Sequence, residues 1–152
     1  MGRIFGRLRC SMRDEIGQSL VELALLLPIL VFGLIGAADL ARAFALQLAI
    51  QNGARAGAEA YAINFAPTPA MAGARALDEI QRTPGINVSI LNITTPPRPV
   101  HTDGTQCTTT PTIADPCFYT VTVQYQFHTI VPWPFIPNTA DFNRSTTVRT
   151  FY

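Results

Sequence analysis

Apolar residues are crowded into one block near the start of the chain. From Leu20 to Ala38 the sequence reads LVELALLLPILVFGLIGAA, nineteen residues in which Glu22 is the one charge. Wound as a helix, this run spans about 28 Å, close to the roughly 30 Å hydrocarbon core of a bilayer. Helical spacing continues beyond it. Asp39 to Ala62 holds no proline, and Leu40, Phe44, Leu48, Ala54 and Ala58 fall near one stripe at i, i+4 spacing. The pattern predicts one helix from Gln18 to about Asn64, roughly 68 Å long, whose second half offers that stripe to a globular part. Pro67 and Pro69 stop it, and Pro28 removes one internal hydrogen bond and is expected to kink it. Arg55 and Glu59 form a weak i, i+4 pair.

The remaining pattern is that of a small mixed domain. Thr68 is placed to cap a second helix over 69–82, with Pro69 in its first turn and Ala70, Ala74, Leu77 and Ile80 as its apolar side. Pro84-Gly85 ends it. Residues 86–93 read as a strand. Residues 94–116, rich in Pro and Thr, read as a loop. Residues 117–129 alternate clearly, with Tyr119, Val121, Val123, Tyr125 and Phe127 on one side and Phe118, Thr120, Thr122, Gln124 and Gln126 on the other. Pro132, Trp133, Pro134 and Pro137 make a stiff turn segment, and residues 143–151 a last strand. Neither a helix nor a sheet of this kind buries its apolar face alone. The economical arrangement is therefore α+β: three antiparallel strands packed on the long helix. Gly53 and Gly57 form a small-x3-small pair with two readings, helix packing in an assembly or contact with the chain's own sheet. The second is preferred because the pair lies beyond the apolar run.

Charge narrows the function classes. The chain has 152 residues, 48% hydrophobic and only 14% charged, with 11 basic residues, all Arg, against 10 acidic ones. Arg3, Arg7, Arg9 and Arg13 against Asp14 and Glu15 give residues 1–17 a net +2, and seven Arg against eight acids give the rest −1. With no basic patch in the bulk of the chain, a nucleic-acid partner is not expected. Low net charge with high apolar content argues against a disordered polymer. The Arg excess before the apolar run places the N-terminus in the cytoplasm and the C-terminal part outside. Three readings of the run compete: a secretory signal peptide ending near Gly36-Ala37-Ala38, a plain signal anchor, or a processed anchor. The first is disfavoured by the length of the run, by Glu22 near its start and by helical pattern continuing past the cut.

Glu22 is the informative residue. A carboxylate facing lipid at depth costs about 2.5 kcal/mol or more, so an interfacial position explains its tolerance. That does not explain Gly17 five positions earlier, or the basic leader before it. Basic leader, Gly, four residues, Glu and apolar helix together resemble the processing signature of type IV pilins and pseudopilins. More narrowly, GQSLVELALLLPILVFGLIGAADLARAFALQLAIQNGARAGAEAYA resembles the TadE-like pseudopilins of tight-adherence pilus systems. The likeness is strongest over residues 17–62, including Leu27-Pro28 and the stretch Gln51 to Gly57. It implies cleavage by a prepilin peptidase between Gly17 and Gln18, with Gln18 the new N-terminus. Glu22 would then be the fifth mature residue, pairing with the terminal amine of a neighbouring subunit. Such pairing is physically sensible, since each charge is costly alone in low dielectric. The implied layout is a cleaved leader 1–17, a transmembrane helix 18–38, its amphipathic continuation 39–64 and an exported α+β head 65–152, pilin-like, with the loop 94–116.

Cysteines follow the topology. Cys10 lies in the leader on the reducing side; Cys107 and Cys117 lie ten residues apart in the exported part. A disulfide closing that short loop is favoured, worth about 2–3 kcal/mol by chain entropy, with free thiols or a metal as alternatives. His101 and His128 do not stand at usual zinc-ligand spacing, so no metal is expected. His128, on a Tyr/Phe-rich strand, reads as a surface or edge residue. No catalytic motif is present, so no enzyme activity, cofactor or small-molecule substrate is expected. The sequons at Asn87, Asn92 and Asn143 are of a kind common by chance. The expected function is that of a minor pilin-like subunit in the cytoplasmic membrane, with prepilin peptidase, other pilin subunits and membrane lipid as partners. The alternative is an unprocessed, single-pass adhesion or binding protein.

Overall fold

Small side chains decide how this chain packs. The computed structural model describes the backbone of residues 4–133 and 136–151, and side chains within that range from Gly17 onward. The leader's side chains, Cys10 and its arginines among them, and Pro134 in the proline-rich turn lie outside the described residues. Helix α1 is Ile4–Ala62 and continues through Pro28; helix α2 is Pro69–Gln81. Strands β1 (Leu91–Thr94), β2 (Cys117–His128) and β3 (Thr139–Thr150) form one antiparallel sheet in the order β1-β2-β3. The fold is α+β, a long N-terminal helix with a small antiparallel sheet. Two compact units divide it, Met1–Leu40 and Ala41–Tyr152.

In the first unit every large apolar side chain from Leu20 to Leu34 is exposed. A helix of this length and composition is capable of crossing a membrane. In the second unit the core lies between the helices and the inner face of β2. Leu46, Ile50, Ala54 and Ala58 of α1 meet Ala72, Ala76 and Ile80 of α2 and Tyr119, Val121, Val123, Tyr125 and Phe127 of β2. Alternation along β2 thus divides its residues as the sequence pattern implies. Its other face carries a polar ladder, with Thr120 hydrogen-bonded to Thr147 at 2.8 Å and Gln126 Nε2 donating to Asp141 Oδ1 at 3.1 Å. Tyr61 stacks on Tyr119 with ring centroids 3.6 Å apart, and the Tyr119 hydroxyl donates to the Pro96 carbonyl at 3.2 Å. At the far end Phe127 stacks on Phe142, and the Arg42 guanidinium lies 5.6 Å from the Phe127 ring centroid.

The buried face of α1 is not the stripe of large residues. Leu40, Phe44 and Leu48 are 73%, 63% and 45% exposed, whereas Gly53, Ala54, Gly57 and Ala58 are buried. The same correction applies to α2, where Ala70 and Ala74 are exposed and the buried row is Ala72, Ala76 and Ile80. The buried row of α1 is Leu46, Ile50, Ala54 and Ala58, an i, i+4 series out of phase with Leu40, Phe44 and Leu48, and close approach to α2 selects the small residues at its far end. A Cβ on Gly57 would stand 2.7 Å from the Ala72 carbonyl oxygen and 3.0 Å from Ala76 Cβ, and one on Gly53 would run into the Ile80 side chain. The glycines let the two helices touch backbone to backbone, so small residues form the seam. Their partner within the chain is chiefly α2, with Val121 of the sheet at 3.5 Å from a Gly57 Cβ.

Element ends follow local chemistry. Thr68 Oγ1 accepts from the Met71 amide at 3.3 Å and caps α2. Asn64, at φ 61°, turns the chain out of α1, and the Ala66 amide then donates to the Ala60 carbonyl at 2.9 Å. The strand expected over 86–93 is shorter and later. Asn87 Oδ1 accepts from the Ser89 amide and hydroxyl, which winds Val88–Ile90 into a 3₁₀ turn, and pairing begins at Leu91. The last strand begins at Thr139, four residues before the expected start, because Thr139 to Phe142 continue the register opposite His128 to Tyr125.

Candidate functional site

Two groups of residues carry candidate chemistry, one in each unit. The first is at the head of the apolar helix. Gly17, Gln18 and Glu22 are helical and exposed. One turn of helix separates Gln18 from Glu22, and Gln18 Nε2 donates to Glu22 Oε1 at 3.2 Å. A Cβ on Gly17 would meet nothing within 4 Å. The fold of this unit therefore sets no demand for glycine at position 17. The Glu22 carboxylate is held by a neutral amide, which leaves its charge uncompensated by the contact.

The second group lies in the loop between β1 and β2. Val100 pairs with both Gln106 and Phe118, through Val100 N to Phe118 O at 2.8 Å and Phe118 N to Val100 O at 2.7 Å. Between them His101 and Thr105 close a tight turn, with Gly104 at φ 85° and Asp103 Oδ1 accepting from the Thr105 amide and hydroxyl. Those hydrogen bonds from Thr105 hold the Asp103 carboxyl below its ordinary pKa. Cys107 and Cys117 are joined as a disulfide with Cα atoms 6.2 Å apart. His101, separated from the cysteines by sequence spacing, is carried to them by the Val100–Phe118 bridge. One imidazole nitrogen and the two sulfurs all lie within 4.8 Å of one another. Asp115 Oδ1 is 2.9 Å from His101 Nδ1, an ion-pair distance without hydrogen-bond alignment. No periodicity reports a contact made by a bridge between two loop ends, so sequence spacing alone could not find this cluster. His128 sits exposed at the end of β2, away from that cluster's loop.

Comparison with known proteins separates the two regions. No curated protein and no solved structure matches the chain. A family model described as TadE-like protein matches residues 17–59, from the glycine before Gln18 to the glutamate paired with Arg55. The match covers the candidate residues of the first group and stops before the second. Over residues 17–59 the chain is therefore similar to the TadE-like proteins.

Proposed function

We propose that this protein is a minor pilin-like subunit of a tight-adherence pilus system, cut by a prepilin peptidase between Gly17 and Gln18. The observation that carries the reading is the placement of Glu22 one turn after Gln18, on an exposed apolar helix, in the segment that matches the TadE-like family. Cleavage turns the Gln18 amide nitrogen into a terminal ammonium. In lipid that ammonium and the Glu22 carboxylate are each costly alone and offset one another when subunits bring them together. Among the described residues the Glu22 carboxylate accepts from the neutral Gln18 side-chain amide, which leaves its charge to pair with a neighbour's terminus. Exposed Phe44 and Leu48 extend an apolar surface along the helix that suits packing against another subunit's helix. The leader stays in the cytoplasm and the head is exported. Its role is structural, without a substrate or cofactor.

The reading is tested by Glu22→Ala in a cell that assembles the pilus system. The variant inserts into the membrane as well as the parent, since a costly carboxylate is gone, but fails to co-purify with the other pilin subunits. Normal incorporation of the variant contradicts the pairing role.

A further inference from the structure

The loop cluster of the second unit holds a zinc-ligand set that the pilus reading does not use. We propose that, when the 107–117 disulfide is reduced, Cys107, Cys117 and His101 bind one zinc ion. The site and the disulfide are then alternative states of the same pair of sulfurs.

The geometry points to zinc by donor type and by distance. Two thiolates and an imidazole are the donors zinc favours, and in a tetrahedral site its ligand atoms stand about 3.3–3.8 Å from one another. The imidazole lies within 4.8 Å of both sulfurs; the S–S bond holds the sulfurs to each other, and with Cα atoms 6.2 Å apart they can part to zinc-ligand spacing by side-chain rotation once that bond opens. Three protein ligands leave the fourth position to water. The Asp115 carboxylate stands 2.9 Å from Nδ1, close enough to orient the ring once it turns into hydrogen-bond alignment, with Nε2 then the zinc donor.

The donors are also held by contacts that do not depend on the S–S bond. His101 is fixed by its amide donating to Thr105 O at 2.8 Å and by the neighbouring Val100–Phe118 bridge. Cys107 is fixed by its amide donating to Pro99 O at 3.0 Å, and Cys117 begins β2, paired with Thr150 of β3. Asp115 is held by Thr112, whose Oγ1 accepts from the Asp115 amide at 3.0 Å. Thr112 in turn accepts at its carbonyl from Arg149 Nη2 at 2.8 Å. Reduction therefore leaves the backbone of all four residues in place around the opened bond. A dithiol reductant supplies the step: its two sulfurs form a disulfide, and two electrons and two protons pass to Sγ of Cys107 and Cys117. Zinc then displaces both thiol protons. Oxidation by a disulfide-bearing oxidant reverses the sequence and expels the metal.

The test uses the full chain in detergent, in a Cys10→Ser background so that only two thiols remain. It is reduced with dithiothreitol, freed of reductant without air, and titrated with Zn²⁺ against a chromophoric chelator. The reduced chain is expected to take up one zinc, and Co²⁺ in its place to give the visible bands of a tetrahedral thiolate site. Asp115→Asn weakens binding about 10–100-fold, and His101→Ala weakens it further. His101→Cys, which supplies another zinc donor, restores it and so separates loss of a ligand from loss of the fold. The proposal is overturned if the reduced chain takes up no more zinc than a Cys107→Ser/Cys117→Ser variant, if the oxidised chain binds zinc equally well, or if His101→Ala binds as tightly as the parent.

Discussion

Gly57 and Tyr119 show how single residues set the core. At Gly57 the contact is with the Ala72 backbone, which cannot step aside as a flexible side chain does. Gly57→Ala gains about 1 kcal/mol of helix propensity but overpacks the seam at about 1–3 kcal/mol. A net loss of stability is expected, read as a lower urea midpoint of the detergent-solubilised chain; a midpoint equal to or above the parent's contradicts the packing described. Tyr119 is fully buried, and burial pushes its hydroxyl pKa up to about 12 from an ordinary value near 10. Burial raises that of Tyr61 as well. A raised folded-state pKa means stability that is whole below pH 10 and lost as pH climbs from about 10 through about 12, up to roughly 2 kcal/mol for Tyr119. Tyrosinate absorbance should rise in two phases, the later one coinciding with loss of the fold. A single phase near pH 10 with the fold intact contradicts the burial. The buried set of β2 was legible because period-two alternation states it directly. The partner of Gly57 was not, since a glycine carries no sign of what approaches it. His101 was not legible either, because its meeting with Cys107 and Cys117 is made by a bridge across the loop.

At the scale of elements, α2 is held by a cap and by one row of residues. Thr68→Ala removes the acceptor of the Met71 amide and should cost about 1 kcal/mol. Ile80→Ala empties a fully buried site against Gly53 and should cost about 2–5 kcal/mol. Thermal unfolding of both variants checks the order; equal effects contradict a seam anchored at Ile80. The existence of both helices and of β2 was readable from spacing, proline positions and the Thr68 cap. The face of α1 was readable at Ala54 and Ala58 but not before them. Leu40, Phe44 and Leu48 look as apolar as Leu46 and Ile50, yet only the latter pair lies in i, i+4 phase with the two alanines, on the side where Gly53 and Gly57 admit α2. The ends of β1 and β3 were misread for local reasons: Asn87 diverts the chain into a 3₁₀ turn, and Thr139–Phe142 gain strand structure from pairing with β2 rather than from their own alternation.

At the scale of the whole molecule, the chain joins an exposed apolar helix, carrying the TadE-like segment, to a head stabilised by α2, the sheet and the 107–117 disulfide. The pilus reading depends on residues 17–22, and there the structure makes a clean experiment possible. Because a Cβ at Gly17 meets nothing, Gly17→Val tests recognition by the peptidase rather than folding of the helix. The most direct measurement is the intact mass of the chain co-expressed with an active prepilin peptidase. The account predicts a protein shortened by residues 1–17, beginning at Gln18 with or without one N-methyl group, and a Gly17→Val variant that keeps its leader. A parent chain that retains residues 1–17 beside an active peptidase contradicts the account.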